Sequence, residues 1–477
     1  MNALRSSRSR SAPRRRIARR TRASSDNAPL ESGRATRLTS LLRRCGKIAA
    51  VTAHRTARVG WHTAVRRFRH DGDEDGSFPR QLRLALEELG PTFVKLGQQL
   101  SARSDITPTR VQQELSKLRD RAPSIPRATL EAELERTLGS EPSGLMEKLE
   151  IVPVACGSIA QVHRATLDDG LRVAVKVRRP GILTDIDADV SLLRQVIRVV
   201  AFLSSRVRAY DPIAILDEFA TLLRAETDFI SEAGNIEAVR RTFAIGDAVT
   251  IPRVLPDLSG ESVLVMEWIE GVPLSDPERL EEVGADRAGL ARAILQAYGV
   301  MIFQSDRFHA DPHPGNLFAM EGGRLGMIDF GEVGSVDRAE RVALQGMVAA
   351  VLGRNGEALA AAVLSVSRTT RSVDQTEFGE QLSRTLDPIA DATLREMRLG
   401  ETFGRLLHLV RTFGIVLPSD LAILIKTLIE CEATTNELDP TMSMLNLVGE
   451  LGAFAPGPGL RSDETSAESS DEVRRRP

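Results

Sequence analysis

The chain has 477 residues, 42% of them hydrophobic and 27% charged, ordinary proportions for a globular protein with a sizeable core: two domains, or one large bilobal domain with tails. Cys45, Cys156 and Cys431 are far apart, which excludes a disulfide framework or a cysteine metal site and fits a reducing compartment. No apolar run approaches the roughly 18–20 residues that span a bilayer, and the run 421–425 is cut by Lys426.

The formal net charge is −2, yet residues 1–70 carry nineteen Lys and Arg against only Asp26 and Glu31. A basic arm on a nearly neutral chain points to an anionic partner, a membrane surface or nucleic acid. No nucleic-acid reading motif accompanies the charge. Residues 1–35, rich in Arg and Ser, have the composition of a disordered segment and lack the apolar stretch of a secretory signal; they also resemble an organelle transit peptide. Residues 41–68 read as a basic helix whose apolar positions run from Leu41 through Val51 and Trp61 to Phe68. Such a helix lies on an anionic membrane or packs on the body of the protein.

A linker at 71–78 leads to a helical region, 81–122, with apolar spacing at Leu82, Leu86, Leu89, Phe93, Leu96 and Leu100 and punctuation at Pro91 and Pro108. A short helix at 129–138 follows. Strands at 161–167 and 171–177 are joined by Asp168-Asp169-Gly170, a hairpin turn signal. Helices over 185–207 and 211–243 come next, then a strand over 262–268 that carries Glu267. From Arg287 the chain reads as helical to about 451, interrupted by short strands near 316–319 and 326–328. The stretch 453–477 has the composition of a disordered tail. The implied domains are a basic arm (1–78), a helical extension (79–149), a small lobe (150–270), a large lobe (271–452) and a tail (453–477).

The chain has six Lys and fifty-seven Arg. Where Arg takes nearly every cationic position, a retained Lys marks chemistry that needs a compact ammonium. Lys176 ends the run Val173-Ala174-Val175-Lys176, the setting of a lysine that holds nucleotide phosphates. His309-Ala310-Asp311-Pro312-His313-Pro314-Gly315-Asn316 has the spacing of a kinase catalytic loop, with Asp311 as base and Asn316 as Mg²⁺ ligand. Asp329-Phe330-Gly331 follows thirteen residues later, with Asp329 as the main Mg²⁺ ligand. Together these imply ATP and Mg²⁺. Lys176 needs a carboxylate, and Glu226, Asp228 and Glu232 lie on one predicted helix, with Asp228 and Glu232 at i,i+4 on the same side. No G-x-G-x-x-G precedes the hairpin. The small residues Ala155, Cys156, Gly157 and Ser158 occupy that place and let backbone N–H groups approach phosphate, with Glu267 a further nucleotide-binding candidate. Residues 332–337 run almost directly into a helix from Arg338, leaving no long activation segment to carry a peptide. A small or lipid-like substrate, or ATP hydrolysis alone, fits better.

From about Leu86 to Met442 the sequence resembles the UbiB (AarF/ADCK-like) family of atypical kinases. Its most specific match, outside the kinase motifs, is residues 93–105, which contain Lys95, Gly97 and Gln98 of a K-x-G-Q signature. The resemblance implies a helix-rich α+β, bilobal protein-kinase-like fold with an N-terminal helical extension. It also implies that the K-x-G-Q helix folds over the active site and occludes a peptide groove, with Lys95 pairing with Glu226 and Asp228 and Glu232 pairing with Lys176. Activity in isoprenoid quinone biosynthesis, conditional ATPase action and partners in a biosynthetic complex are implied likewise. The A-C-G-S loop departs from the family's A-A-A-S. Unlike many bacterial members, the chain shows no transmembrane hairpin at its C-terminal end. That leaves a cytoplasmic protein peripheral to the inner face of the membrane, held by the basic helix or by apolar helices at 403–416 and 421–429. The other readings are a nucleotide-binding scaffold without phosphoryl transfer and an aminoglycoside-type small-molecule kinase, although the latter should lack residues 95–105.

Overall fold

The computed structural model describes residues 78–441, apart from short segments at 103–106, 119–121, 140–144, 146–147, 205–207, 209–210, 244–247 and 392–398, and a few positions between 46 and 55. Of the expected helix at 41–68 only Gly46, Ala50, Val51, His54 and Arg55 are described, and they are helical; the rest of it, most of the linker and the tail lie outside the described residues.

Helices α1 (Phe78–Leu89), α2 (Pro91–Ala102) and α3 (Thr109–Leu115) close around Leu86, Leu89, Phe93 and Leu115. Gly90 separates the first two at φ +112, and Pro91 opens α2 at a position where no intrahelical N–H is needed. Helix α4 (Arg127–Leu138) then turns Leu130 and Leu134 onto a sheet.

That sheet begins with β1 (Ala155–Cys156), β2 (Ala160–Thr166) and β3 (Arg172–Arg178). The β2–β3 turn forms where expected: Gly170 sits at φ +83, and Leu171 N–H donates to the Asp169 carboxylate at 2.9 Å. Three helices follow, α5 (Ile182–Leu203), α6 (Pro212–Ala225) and α7 (Phe229–Arg240). The single helix expected over 211–243 is therefore two. Thr227 Oγ1 donates to the Arg224 carbonyl at 2.7 Å and Asp228 accepts from Ser231 N–H at 3.0 Å, so local side chains stop one helix and start the next. Strand β4 (Val249–Thr250) belongs to a second sheet, in the large lobe, and β5 (Val263–Glu267) completes this half. The small-lobe sheet runs β1-β2-β3-β5, antiparallel throughout, with Lys176 opposite Leu264.

The large lobe comprises β6 (Val272–Pro273), α8 (Pro277–Glu282), α9 (Arg287–Gln304), β7 (Arg307–His309), β8 (Leu317–Ala319), β9 (Leu325–Met327), β10 (Val333–Ser335), α10 (Arg338–Leu352), α11 (Gly356–Val366), β11 (Arg368–Thr369), α12 (Gln375–Asp391), α13 (Leu399–Thr412), β12 (Ile415–Val416) and α14 (Ser419–Leu438). Helix α9 is apolar nearly all round because it is the centre of this lobe: Leu290, Ile294, Tyr298, Met301 and Ile302 are buried within one core shared with α14. Strands β8 and β9 pair as a hairpin flanked by β6 and β4, while β7 pairs with β10. These two strand pairs hold the catalytic-loop and D-F-G segments side by side. The result is a helix-rich α+β fold of two lobes, with the sequence motifs gathered between them.

Candidate active site

Alternation along β3 decides which way Lys176 points. Val173, Val175 and Val177 are fully buried against α4, so Ala174 and Lys176 face the opposite side, where α7 lies. There Lys176 Nζ donates to Glu232 Oε1 at 2.7 Å and to Asp329 Oδ1 at 3.2 Å. Glu232 is only 2% exposed, whereas Asp329 is half exposed. Burial works against the Lys176 charge, but Asp329 and Glu232 outweigh it and raise its pKa well above the ordinary value. Burial pushes Glu232 up to about 7 even with the ammonium beside it. Asp329 is held low, chiefly by Lys176. The trio thus carries one cation and a firmly ionised carboxylate facing the cleft.

The catalytic loop is tied to the D-F-G segment through His309, which is fully buried. Its Nδ1 accepts the Asp311 N–H at 3.1 Å, so the ring proton sits on Nε2 and is donated to the Ile328 carbonyl at 3.0 Å. The ring also meets Phe330 edge-on at 4.7 Å. Asn316 Nδ2 donates to Asp311 Oδ2 at 2.8 Å, which fixes the carboxylate and leaves Asn316 Oδ1 as the atom available to a cation. Asp329 holds a left-handed backbone at φ +59, a conformation uncommon outside glycine that concentrates at functional sites.

These groups share one cavity of about 200 Å³, walled by Lys95, Ala155, Gly157, Lys176, Glu226, Asp311, Asp329 and Glu332, among others. It is smaller than the roughly 300–1,000 Å³ of most ligand clefts, and Lys95 of α2 forms part of its wall. Lys95 Nζ is 3.0 Å from Glu226 Oε2, and burial raises the Glu226 pKa despite that ammonium. The partnership expected between Lys95 and Asp228 gives way to a capping role: Asp228 is exposed and engaged with Ser231 N–H, not on the same side of a helix as Glu232. Gly97 and Gln98 serve packing of the extension. A Cβ at Gly97 would strike the side chains of Leu118 and Leu86, and Gln98 Nε2 donates to the Leu118 carbonyl at 3.3 Å.

The loop before β2 also sorts by alternation. Ala155 and Gly157 face the cavity. Cys156 pairs across to Gln161 and Ser158 is 3% exposed; neither forms its wall. Glu267, the remaining nucleotide-binding candidate, lies outside this cavity too, with its carboxylate on Arg253 Nε at 2.9 Å.

Two residues of the site escaped the sequence reading. Glu332, directly after Gly331, walls the cavity, and Lys426 of α14 meets its carboxylate at 3.0 Å. Lys426 also lies 3.9 Å from Glu430, whose carboxyl burial pushes up to about 7. Lys426 is one of the six lysines, so the rule that singled out Lys95 and Lys176 could have found it.

Among the described residues no cluster of three His, Cys, Asp or Glu could cage a metal alone. The Asn316 carbonyl oxygen and the Asp329 carboxylate are hard donors that suit Mg²⁺ brought with phosphate oxygens and water. No described helix is long and apolar enough to cross a membrane.

Two family models match the chain: the ABC1 atypical kinase-like domain over residues 117–363 and the UbiB helical domain over 382–443. A solved structure of Rv3197 from Mycobacterium tuberculosis, described as a complex with erythromycin, is similar over 79% of this chain and 96% of that one, with 26% identity and a TM-score of 0.53. With a kinase-like domain model covering more than half its length and the helical domain model following it, the chain belongs to the UbiB family of ABC1 atypical kinase-like proteins.

Proposed function

We propose that the chain binds Mg-ATP and either transfers its terminal phosphoryl group to a small or lipid-like acceptor or hydrolyses it, in isoprenoid quinone or other lipid metabolism, as a cytoplasmic protein at the inner face of an anionic membrane. The observation that carries this is the convergence of the Lys176 ammonium, the Asp329 carboxylate and Asp311 on one cavity, with Glu232 orienting the lysine. In this reading Lys176 leaves Asp329 for the α- and β-phosphates. Asp329 and Asn316 would hold Mg²⁺, which when bound would shield phosphate charge and polarise the bond that breaks. Asp311, fixed by Asn316 Nδ2, accepts the proton of the attacking hydroxyl or water.

A peptide acceptor is disfavoured by the segment 332–337. It is consumed by β10 and by the capping box of Asp337 and Glu340 that starts α10, and so offers no platform. The erythromycin complex of the structural neighbour accords with a small organic ligand. A second reading, a nucleotide-binding scaffold within a biosynthetic complex, is favoured by one observation: the Lys95–Glu226 bridge across a cavity of about 200 Å³, which suits slow turnover.

The test is Mg-dependent nucleotide binding and ATP turnover, with and without anionic vesicles and a phenolic quinone-precursor mimic, in wild type, Asp329→Asn and Asp311→Asn. Loss of Mg-dependent binding in the first variant, and loss of turnover with binding kept in the second, is the expected pattern. Turnover retained in Asp329→Asn refutes the site. Complementation of a quinone-deficient host by Asp311→Asn selects the scaffold.

A further inference from the structure

Helix α5 is apolar on two sides over its last turns. Its inward stripe, Ile186, Val190, Leu193 and Ile197, packs on Leu216 and Phe219 of α6. Its outward stripe has no cover among the described residues. Val196 is 48% exposed, Val199 59%, Val200 42% and Leu203 76%, and Phe202 beside them is 81% exposed. The first four fall at i, i+3, i+4 and i+7, one continuous strip on a helical surface. Scattered exposed apolar side chains are ordinary in water, but a contiguous strip at the end of one helix marks a contact surface. A helix apolar all round is normally buried in protein or in lipid.

Charge identifies the occupant. From Ser191 to Tyr210 the sequence has Arg194, Arg198, Arg206 and Arg208 and no Asp or Glu. Arg194 is matched by Asp217 of α6, and Arg198 is exposed beside the strip. Arg208 donates to the carbonyls of Ala201 at 3.1 Å and Phe202 at 3.3 Å, placing a guanidinium at the negative end of the helix. Apolar side chains flanked by guanidiniums match an anionic lipid surface, where the first enter the acyl boundary and the second stay among headgroups. Position agrees with charge. Leu193, one turn before the strip, shares an apolar cluster with Val51 of the basic arm. Val51, within the stretch whose sequence carries nineteen cations, therefore meets the fold beside this helix.

We propose that the C-terminal turns of α5 insert into the headgroup layer of an anionic membrane and seat the protein on it. This rests on the peripheral-membrane part of the function proposed above.

The experiment is co-sedimentation of the full chain with vesicles of phosphatidylglycerol and phosphatidylcholine, and with phosphatidylcholine alone, with solution mass measured by light scattering. Wild type is compared with Phe202→Ser/Leu203→Ser and with Val342→Ser, an apolar residue of α10 that is 62% exposed elsewhere. The double variant lowers the partition coefficient on anionic vesicles about tenfold or more, the loss of two buried apolar side chains. Val342→Ser leaves it unchanged. Equal binding by wild type and the double variant overturns the α5 assignment and leaves the membrane reading standing. A drop in mass of the double variant without a drop in vesicle binding makes the strip an interface between copies and also overturns it. Failure of wild type to bind any vesicle overturns the membrane reading and this proposal together.

Discussion

Replacing Lys176 with Met removes the only cation within hydrogen-bond reach of Glu232 among the described contacts, at 2.7 Å, and leaves a carboxyl that is 2% exposed. Stranding one partner of a buried ion pair costs about 3–5 kcal/mol. Glu232 can escape part of that cost by taking a proton, since burial already pushes it to about 7 against an ordinary 4.5. Without the ammonium its folded-state pKa rises further, while the unfolded value stays near 4.5. Between those two values the folded state holds a proton that the unfolded state releases. Stability contributed through this group therefore grows as pH falls and is lost as pH rises through the folded pKa. At about 1.36 kcal/mol per unit of differential protonation, the deficit of Lys176→Met is about 3 kcal/mol at a pH near 8.5 and narrows by about 1–2 kcal/mol at a pH near 6.5. Urea unfolding of both proteins at the two pH values measures this. Trp268, which lies 4.4 Å under the Arg164 guanidinium at the end of the small-lobe sheet, reports the transition once Trp61 is replaced by Phe. Lys176→Met/Glu232→Gln should recover most of the loss. A deficit under about 1 kcal/mol, or one that widens on acidification, refutes the view that Glu232 is buried as the partner of Lys176.

Lys95→Ala opens the cavity wall and unpairs Glu226, so nucleotide affinity and release rate should both change several-fold in a stopped-flow fluorescent-nucleotide assay; identical constants would show that Lys95 does not guard the cleft. Gly97→Ala drives a methyl into Leu118 and Leu86 and should destabilise by about 1–3 kcal/mol, seen as a lowered urea midpoint; an unchanged midpoint would mean that the extension packs differently. Lys426→Met should cost about 1 kcal/mol near pH 8, discounted because both partners of the Lys426–Glu332 bridge are partly exposed. The share of that cost owed to Glu430, 3.9 Å from the ammonium, should fade near pH 5.5, where Glu430, at about 7, already holds a proton; a wholly pH-independent loss would count against Lys426 acting on Glu430.

The hairpin and the motif order were legible in the sequence because each is local. Asp169 and Gly170 form a turn from their own backbone preferences, and alternation of β-branched residues places Lys176 on the face away from Val173 and Val175. The K-x-G-Q stretch likewise marked itself by residue type. Strands β1, β4, β6, β7, β10, β11 and β12 were invisible, since two or three residues carry no period and their pairing is set by what lies across from them. The break between α6 and α7 was written in Thr227 and Asp228 but read as helix, because capping residues and acidic helix residues are the same letters in a different register. Lys426 and Glu332, 94 positions apart, meet only because α14 packs on the lobe core beside β10. The sequence by itself settles which chemical groups the chain possesses and the local conformations that short-range sterics dictate. Which of those groups share a cavity, which carboxylate is desolvated and which helix face is left bare are decided by long-range burial, a property of the packed molecule rather than of any segment.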